Sequence, residues 1–329
     1  QAQISGGINC HASIRGKHND IQEIASALTF SSKYLNANHA SVSKLLHSTI
    51  QNVRFEETQR VKDLIDQILL KKENSITGQG HSLAMSAAAS KISPTAAFHH
   101  DSSGMEGIRR LRQLRDDLIQ TNDYSRILET FNAIHQSVLL NHKQILLIAE
   151  PHFENELTNP LKDLWADETA IHTSSFSLNP IREHVSQAWI TNSPVNYCAK
   201  AFCSVGADHA DYPALQVLAG YIRNGFLHKA IREQGGAYGG GAAQDPSSAS
   251  FRFYSYRDPR LQETLADFDL SIEWMLNGTH SNSSLEEAII GVIAAMDKPG
   301  SPAGEATQAF YNKLFGRKFL VDWFNITLF

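Results

Sequence analysis

The chain has 329 residues and a mass of 36.5 kDa, enough for two domains. Apolar residues make up 42% and charged residues 19%, with 20 Gly and 10 Pro, which excludes a largely disordered or collagen-like chain. With 29 basic against 34 acidic residues the formal charge is -5, so the basic excess of a dedicated nucleic-acid binder is missing. No run approaches a membrane span, and the opening QAQISGGINC has no signal-peptide pattern. The absence of an initiator methionine reads as a processed or excised chain. Cys10, Cys198 and Cys203 are too few for a disulfide framework and are expected to pack as free, small hydrophobes.

Ile4 to Ile14, with Gly6 and Gly7, reads as a strand with a bulge, and a second extended stretch is expected near Leu28 to Leu35. Helical patterns follow at Ser41 to Ile50 and at Glu56 to Leu70. In the second, Val61, Leu64, Ile65, Ile68 and Leu69 share a face opposite Arg60, Lys62, Asp63 and Asp66. The small-residue run HSLAMSAAASKISPTAAFHH predicts a tightly packed helix and then a connection at Pro94. Helices are expected again over Glu106 to Leu118, whose arginines form a solvated face, and over Tyr124 to Leu140. The apolar run Ile145 to Ala149 reads as a buried strand. Beyond it Pro151, Pro160 and Pro180 predict irregular structure and a domain boundary within 145–185.

In the second part, Val195 to Cys203 reads as a strand and Pro213 to Arg232 as a helix with Pro213 in its first turn. After the glycine-rich GGAYGGGA, Ser250 to Tyr256 alternates, with Phe251 and Phe253 on one face and Arg252, Tyr254 and Tyr256 on the other. Asp258 and Pro259 turn the chain into a helix carrying Leu261, Leu265, Phe268 and Ile272. Ser284 and Glu287 look like a capping box for a last helix. Hairpins mixed with long helices favour an α+β fold over a doubly wound parallel one.

Neither His-Glu-x-x-His nor its inverse occurs. The nearest clusters are His99, His100 and Asp101, His152 with Glu154, and Asp208, His209 and Asp211. None has the helical spacing that puts two imidazoles on one face, so no metal is expected in this chain. Nucleophile-elbow and phosphate-loop patterns are absent as well. HKAIREQGGAYGGGA is the most informative segment. Arg232 supplies a forked, charged donor at a helix end, and Tyr238 supplies a hydroxyl six residues later. Together they could hold a carbonyl oxygen or an oxyanion developing from it, or they could simply cap the helix and pack on the sheet.

The run SPVNYCAKAF, then REQGGAYGGGA and FRFYSYRDPRL, resembles the C-terminal half of the inverted-zinc-motif peptidases of the pitrilysin and insulinase type, nearest the presequence-protease subfamily. SGGI, RFEETQRVKDLIDQIL and GHSLAMSAAAS are similar to that subfamily's third domain. The resemblance implies two homologous α+β domains, each a mainly antiparallel sheet packed against helices: residues 1–145 as a partial third domain, 146–185 as a connecting region and 186–329 as a fourth domain. It implies that Arg232 anchors substrate backbone and that Tyr238 donates to the scissile carbonyl. Gly235, Gly236, Gly239 and Gly240 would clear space for them. Zinc would be held by an N-terminal half that this chain lacks, so the chain would be inactive alone.

The implied partners are an unfolded peptide substrate and the zinc-bearing half, in cis or as a separate subunit, without nucleic acid or membrane. The implied setting is a bacterial cytoplasm or periplasm, or a mitochondrial or plastid matrix. The alternative is a noncatalytic homologous subunit that stabilises a peptidase-like assembly. The apolar tail GRKFLVDWFNITLF departs from the family pattern and reads as a buried final strand or a foreign end.

Overall fold

The computed structural model describes residues 3–17, 20–165 and 176–315. They form two sheet-plus-helix regions, the α+β architecture expected. In the first, β1 (Ile8–Gly16) and β2 (Ile24–Ser32) pair antiparallel, Ile8 opposite Ser32 and Gly16 opposite Ile24. The strand begins after the glycines rather than through them. Gly7 turns the chain at φ 101°, and the Gly6 N–H donates to Lys33 O at 2.8 Å.

Helix α1 (His39–Gln51) falls where the periodicity placed it, and α2 (Thr58–Ala89) joins the two helices read separately into one of 32 residues. It kinks at Gln79, where φ is -120°, and a Cβ on Gly80 would collide with the Tyr197 ring. The N-terminal half of α2 packs Val61 and Ile65 against Leu118 and Tyr124.

Pro94, read as a break, instead starts α3 (Pro94–Ser103). Ser93 Oγ accepts from Ala96 N at 3.3 Å, and proline suits a first turn, which needs no donor from it. Helices α4 (Met105–Thr121) and α5 (Ser125–Leu140) follow as expected. The α4 arginines are solvated as read, with Arg109 and Arg110 paired to Glu106 and Arg112 to Glu73.

Two expectations between the regions fail. Ile145 to Ala149 is not a buried strand: Ile145, Leu146 and Ile148 are exposed, and no strand among the described residues pairs with them. An apolar run supplies β propensity, but a ladder also needs a partner of matching register. The proline-bearing stretch does form a helix, α6 (Glu154–Trp165), with Pro160 inside it. Glu154 and Glu156 suit its first turn, and Leu157 is buried.

The second region contains β3 (Ala199–Cys203), α7 (Tyr212–Ile222), a π-helical continuation over Arg223–Gln234, β4 (Gly239–Asp245), β5 (Ser250–Tyr256) and α8 (Gln262–Asn277). The sheet is antiparallel in the order β3-β5-β4. Phe253 of β5, Leu227 and Ile231 of the π-helical turn, and Phe268 of α8 are sealed together. The alternation read in β5 is correct, and Tyr254 and Tyr256 on its other face meet the His81 ring of α2 at 5.7 and 4.9 Å. Leu261 precedes α8 and is exposed rather than packed.

α9 (Asn282–Met296) is capped three residues earlier than expected, where Ser281 Oγ accepts from Ser284 N at 3.2 Å. The final helix, α10 (Pro302–Leu314), returns to the first region, where Tyr311 Oη lies 2.8 Å from Thr29 Oγ1. Of the thiols only Cys198 is buried; Cys10 and Cys203 are exposed, against the expectation for all three. The apolar tail lies outside the described residues.

Candidate substrate-binding site

The π-helical turn delivers Arg232 and then stops abruptly. Gly236 adopts φ 77°, a left-handed cap that glycine adopts without steric cost, and its N–H donates to Arg232 O at 3.2 Å. The Ala237 N–H donates to Ile231 O at 3.1 Å. One residue on, Tyr238 is tied by its backbone N–H to Tyr256 O at 3.1 Å and Arg257 O at 3.3 Å. Backbone is therefore fixed on both sides of the turn. Both side chains are exposed, Tyr238 at 67%, so neither is sealed within its own domain. Arg232 has no carboxylate partner among the described residues.

The four glycines divide. A Cβ on Gly239 would meet nothing within 4 Å, and Gly236 is needed for its backbone angle. Gly235 and Gly240 instead make room for the chain's own packing. A Cβ on Gly235 would collide with an Arg260 guanidinium nitrogen, and one on Gly240 would lie 2.9 Å from Ile231 Cγ2.

Arg260 was not singled out in the sequence, yet it pins the segment. Its guanidinium donates to Ala230 O at 3.2 Å and to Asp267 Oδ2 at 2.9 Å, linking the π-helical turn to α8. The preceding turn is held by buried Asp258, which accepts from Arg260 N at 2.9 Å and from Thr264 Oγ1 at 2.8 Å. A signal was available, since Arg-Asp-Pro-Arg follows a strand directly, but its backbone target lies 30 residues upstream.

An aromatic floor was also missed. Tyr238 meets Tyr256 edge-on at 5.6 Å, and Tyr256 touches Tyr197 at 5.9 Å as well as His81. Burial pushes the His81 imidazole below its ordinary pKa and so favours the neutral ring.

The histidine clusters do not assemble into a ligand set. Asp101 pairs with Arg110, His152 lies 3.4 Å from Glu150 rather than bonding Glu154, and His209 Nδ1 accepts from Asp211 N at 3.2 Å. Among the described residues no three His, Cys, Asp or Glu side chains come together in a way that would hold a metal ion. The residues present do not fit a zinc site.

Residues 1–114 match a family described as peptidase-associated, and residues 187–318 match the "PreP C-terminal domain". A mitochondrial presequence protease of Yarrowia lipolytica is 30% identical over 284 residues, covering 85% of this chain and 28% of that protein. The mitochondrial presequence protease of Xenopus laevis is 26% identical over 337 residues, covering 93% of this chain and 32% of the relative. This chain thus spans about three tenths of the length of these relatives. A crystal structure of a protease from Helicobacter pylori superposes with a TM-score of 0.52 at 12% identity, covering 97% of this chain and 78% of that one, a likeness of fold. With two family matches in succession and relatives that run across both, the chain belongs to the pitrilysin-type peptidases and is related to the presequence proteases.

Proposed function

We propose that the chain is the substrate-binding, noncatalytic part of a zinc-dependent endopeptidase that degrades unfolded peptides in a closed chamber. The observation that carries this reading is the presentation of exposed Arg232 and Tyr238 from either side of the Gly235–Gly236 turn, on backbone clamped by Arg260 and by β5. Arg232 anchors the substrate backbone through its forked donors. Tyr238 donates its hydroxyl to the scissile carbonyl, more strongly as negative charge develops on that oxygen. Two donors stabilise charge but supply neither nucleophile nor general base. The chain is therefore inactive alone, and zinc belongs to a partner half. In this reading residues 1–145 are part of a third domain, 146–185 connect, and 186–329 form the fourth. The relatives' names favour a mitochondrial matrix, and the bacterial fold likeness keeps a bacterial setting compatible.

The test is to join or mix the chain with the matching zinc-bearing half and follow cleavage of an unfolded peptide. Cleavage should rise well above that of the zinc-bearing half alone; no gain sinks the reading. In the active assembly Tyr238→Phe should lower kcat by about 100-fold to 1000-fold with a smaller change in KM, as expected for loss of one oxyanion donor. Arg232→Ala should raise KM as well as lower kcat. Parent-like constants would leave Arg232 a helix cap.

A further inference from the structure

Arg257 stands at the end of β5, between two fixed neighbours. Tyr256 O accepts from Tyr238 N, and Asp258 exchanges backbone hydrogen bonds with Asn196 at 2.7 and 2.9 Å. Arg257 itself has φ 50°, a left-handed conformation that costs an L-residue about 1–2 kcal/mol and that Gly or Asn would adopt more cheaply. Its side chain is exposed, and its guanidinium lies over the Tyr256 ring, 5.4 Å from the centroid. That ring is the one Tyr238 meets edge-on at 5.6 Å.

The charge has no carboxylate partner among the described residues. Arg109, Arg110, Arg112, Arg252 and Arg260 all have one. Nothing in the described fold neutralises Arg257, and stacking on an aromatic face leaves the in-plane N–H groups of a guanidinium free for another acceptor. The best geometric match to those donors is a carboxylate taken bidentately.

We infer that Arg257 is a specificity residue of the proposed peptide site, binding a carboxylate of the substrate. Its stacking on Tyr256 pre-orients the guanidinium, so less freedom is lost on binding. Laid end to end, the 5.6 and 5.4 Å ring contacts place that carboxylate within about 11 Å of the Tyr238 ring, about three extended residues along a peptide. An acidic side chain or a free C-terminus could supply the group. The inference rests on the proposed function and adds a charge preference that Arg232 and Tyr238 do not create.

The test is fluorescence anisotropy with the 329-residue chain and matched unfolded peptides: one with a Glu, its Gln counterpart, and each with a free or an amidated C-terminus. The parent should bind the carboxylate-bearing member of a pair about tenfold more tightly, a gap that shrinks with added salt. The Glu/Gln pair and the free/amidated pair show which source supplies the group. Arg257→Asn, which suits the left-handed backbone, should erase the gap and leave the uncharged peptide bound as in the parent. Arg257→Lys should keep part of it.

Equal affinities in the parent, or a gap that survives Arg257→Asn, overturn the inference while leaving the peptide site intact. A loss of affinity of the same size for charged and uncharged peptides makes Arg257 structural and also overturns it. If the parent binds no peptide at all, the proposed function fails first and the inference with it.

Discussion

The two regions solve the same packing problem with different strength. In the second, a three-stranded sheet carries helices against both faces: α7, its π-helical continuation and α8 on one, the C-terminal half of α2 on the other. Phe253, Phe268, Leu227 and Ile231 are sealed in a single core. The first region has a two-stranded hairpin, a smaller cluster around Val61, Ile65, Leu118 and Tyr124, and exposed apolar side chains at Ile145, Leu146 and Ile148. Two paired strands bury little by themselves. The contrast teaches where a precise site can be held. Arg232 and Tyr238 project from the region whose backbone is fixed on every side, while the other region supplies α2 as a strut and His81 as an aromatic contact.

The sharpest way to break that contrast is to empty its stronger core. Phe268→Ala should cost about 3–5 kcal/mol of stability in chemical denaturation, because a buried ring leaves a cavity that the sheet cannot collapse to fill. Val61→Ala in the smaller cluster should cost less. Equal losses would show that the two cores are equally well packed.

A finer probe uses neighbouring glycines. Gly235→Ala should destabilise by about 1–3 kcal/mol, since its methyl would collide with the Arg260 guanidinium and crowd Ile231 O at 2.5 Å. Weaker peptide binding should accompany it. Gly239→Ala, with open space around it, should change thermal stability little. If both behave alike, Arg260 is not the clamp described.

The smallest effect lies in the first region. Hydrogen bonds from Arg109, with a further contribution from Arg110, hold the Glu106 carboxyl down at about 2 despite partial burial. A depressed carboxylate stabilises the fold above its unfolded pKa, near 4.5, and that contribution fades as pH falls toward 2. Both arginines are about half exposed and screened by solvent, so Glu106→Gln should cost only about 1 kcal/mol at pH 7. The difference from the parent should vanish near pH 2. Urea melts from neutral pH down to about 2 check both size and sign, and a penalty that grows on acidification would contradict the pairing.

Local signals were legible wherever neighbours along the chain decide the outcome. The periodicity of α4 and α5, the alternation of β5, Pro213 opening α7, and the order helix, glycine turn, Tyr238 could all be read from adjacent residues. The same locality explains the failures. Pro94 reads as a break unless Ser93 is recognised as a cap, and Pro160 seemed to forbid α6. Ile145 to Ala149 has the composition of a buried strand, but no strand among the described residues pairs with it.

The linear order of residues thus determined the fold class, the chemistry offered by Arg232 and Tyr238, and their placement on either side of a glycine turn. Tertiary structure alone decided that Gly235 makes room for Arg260, that Tyr256 supports both Tyr238 and Arg257, and that one long helix braces the sheet carrying them. The reason is physical. Backbone propensity and periodicity are set within a few residues, whereas steric exclusion and ion pairing depend on which distant atoms the folded chain brings within contact distance.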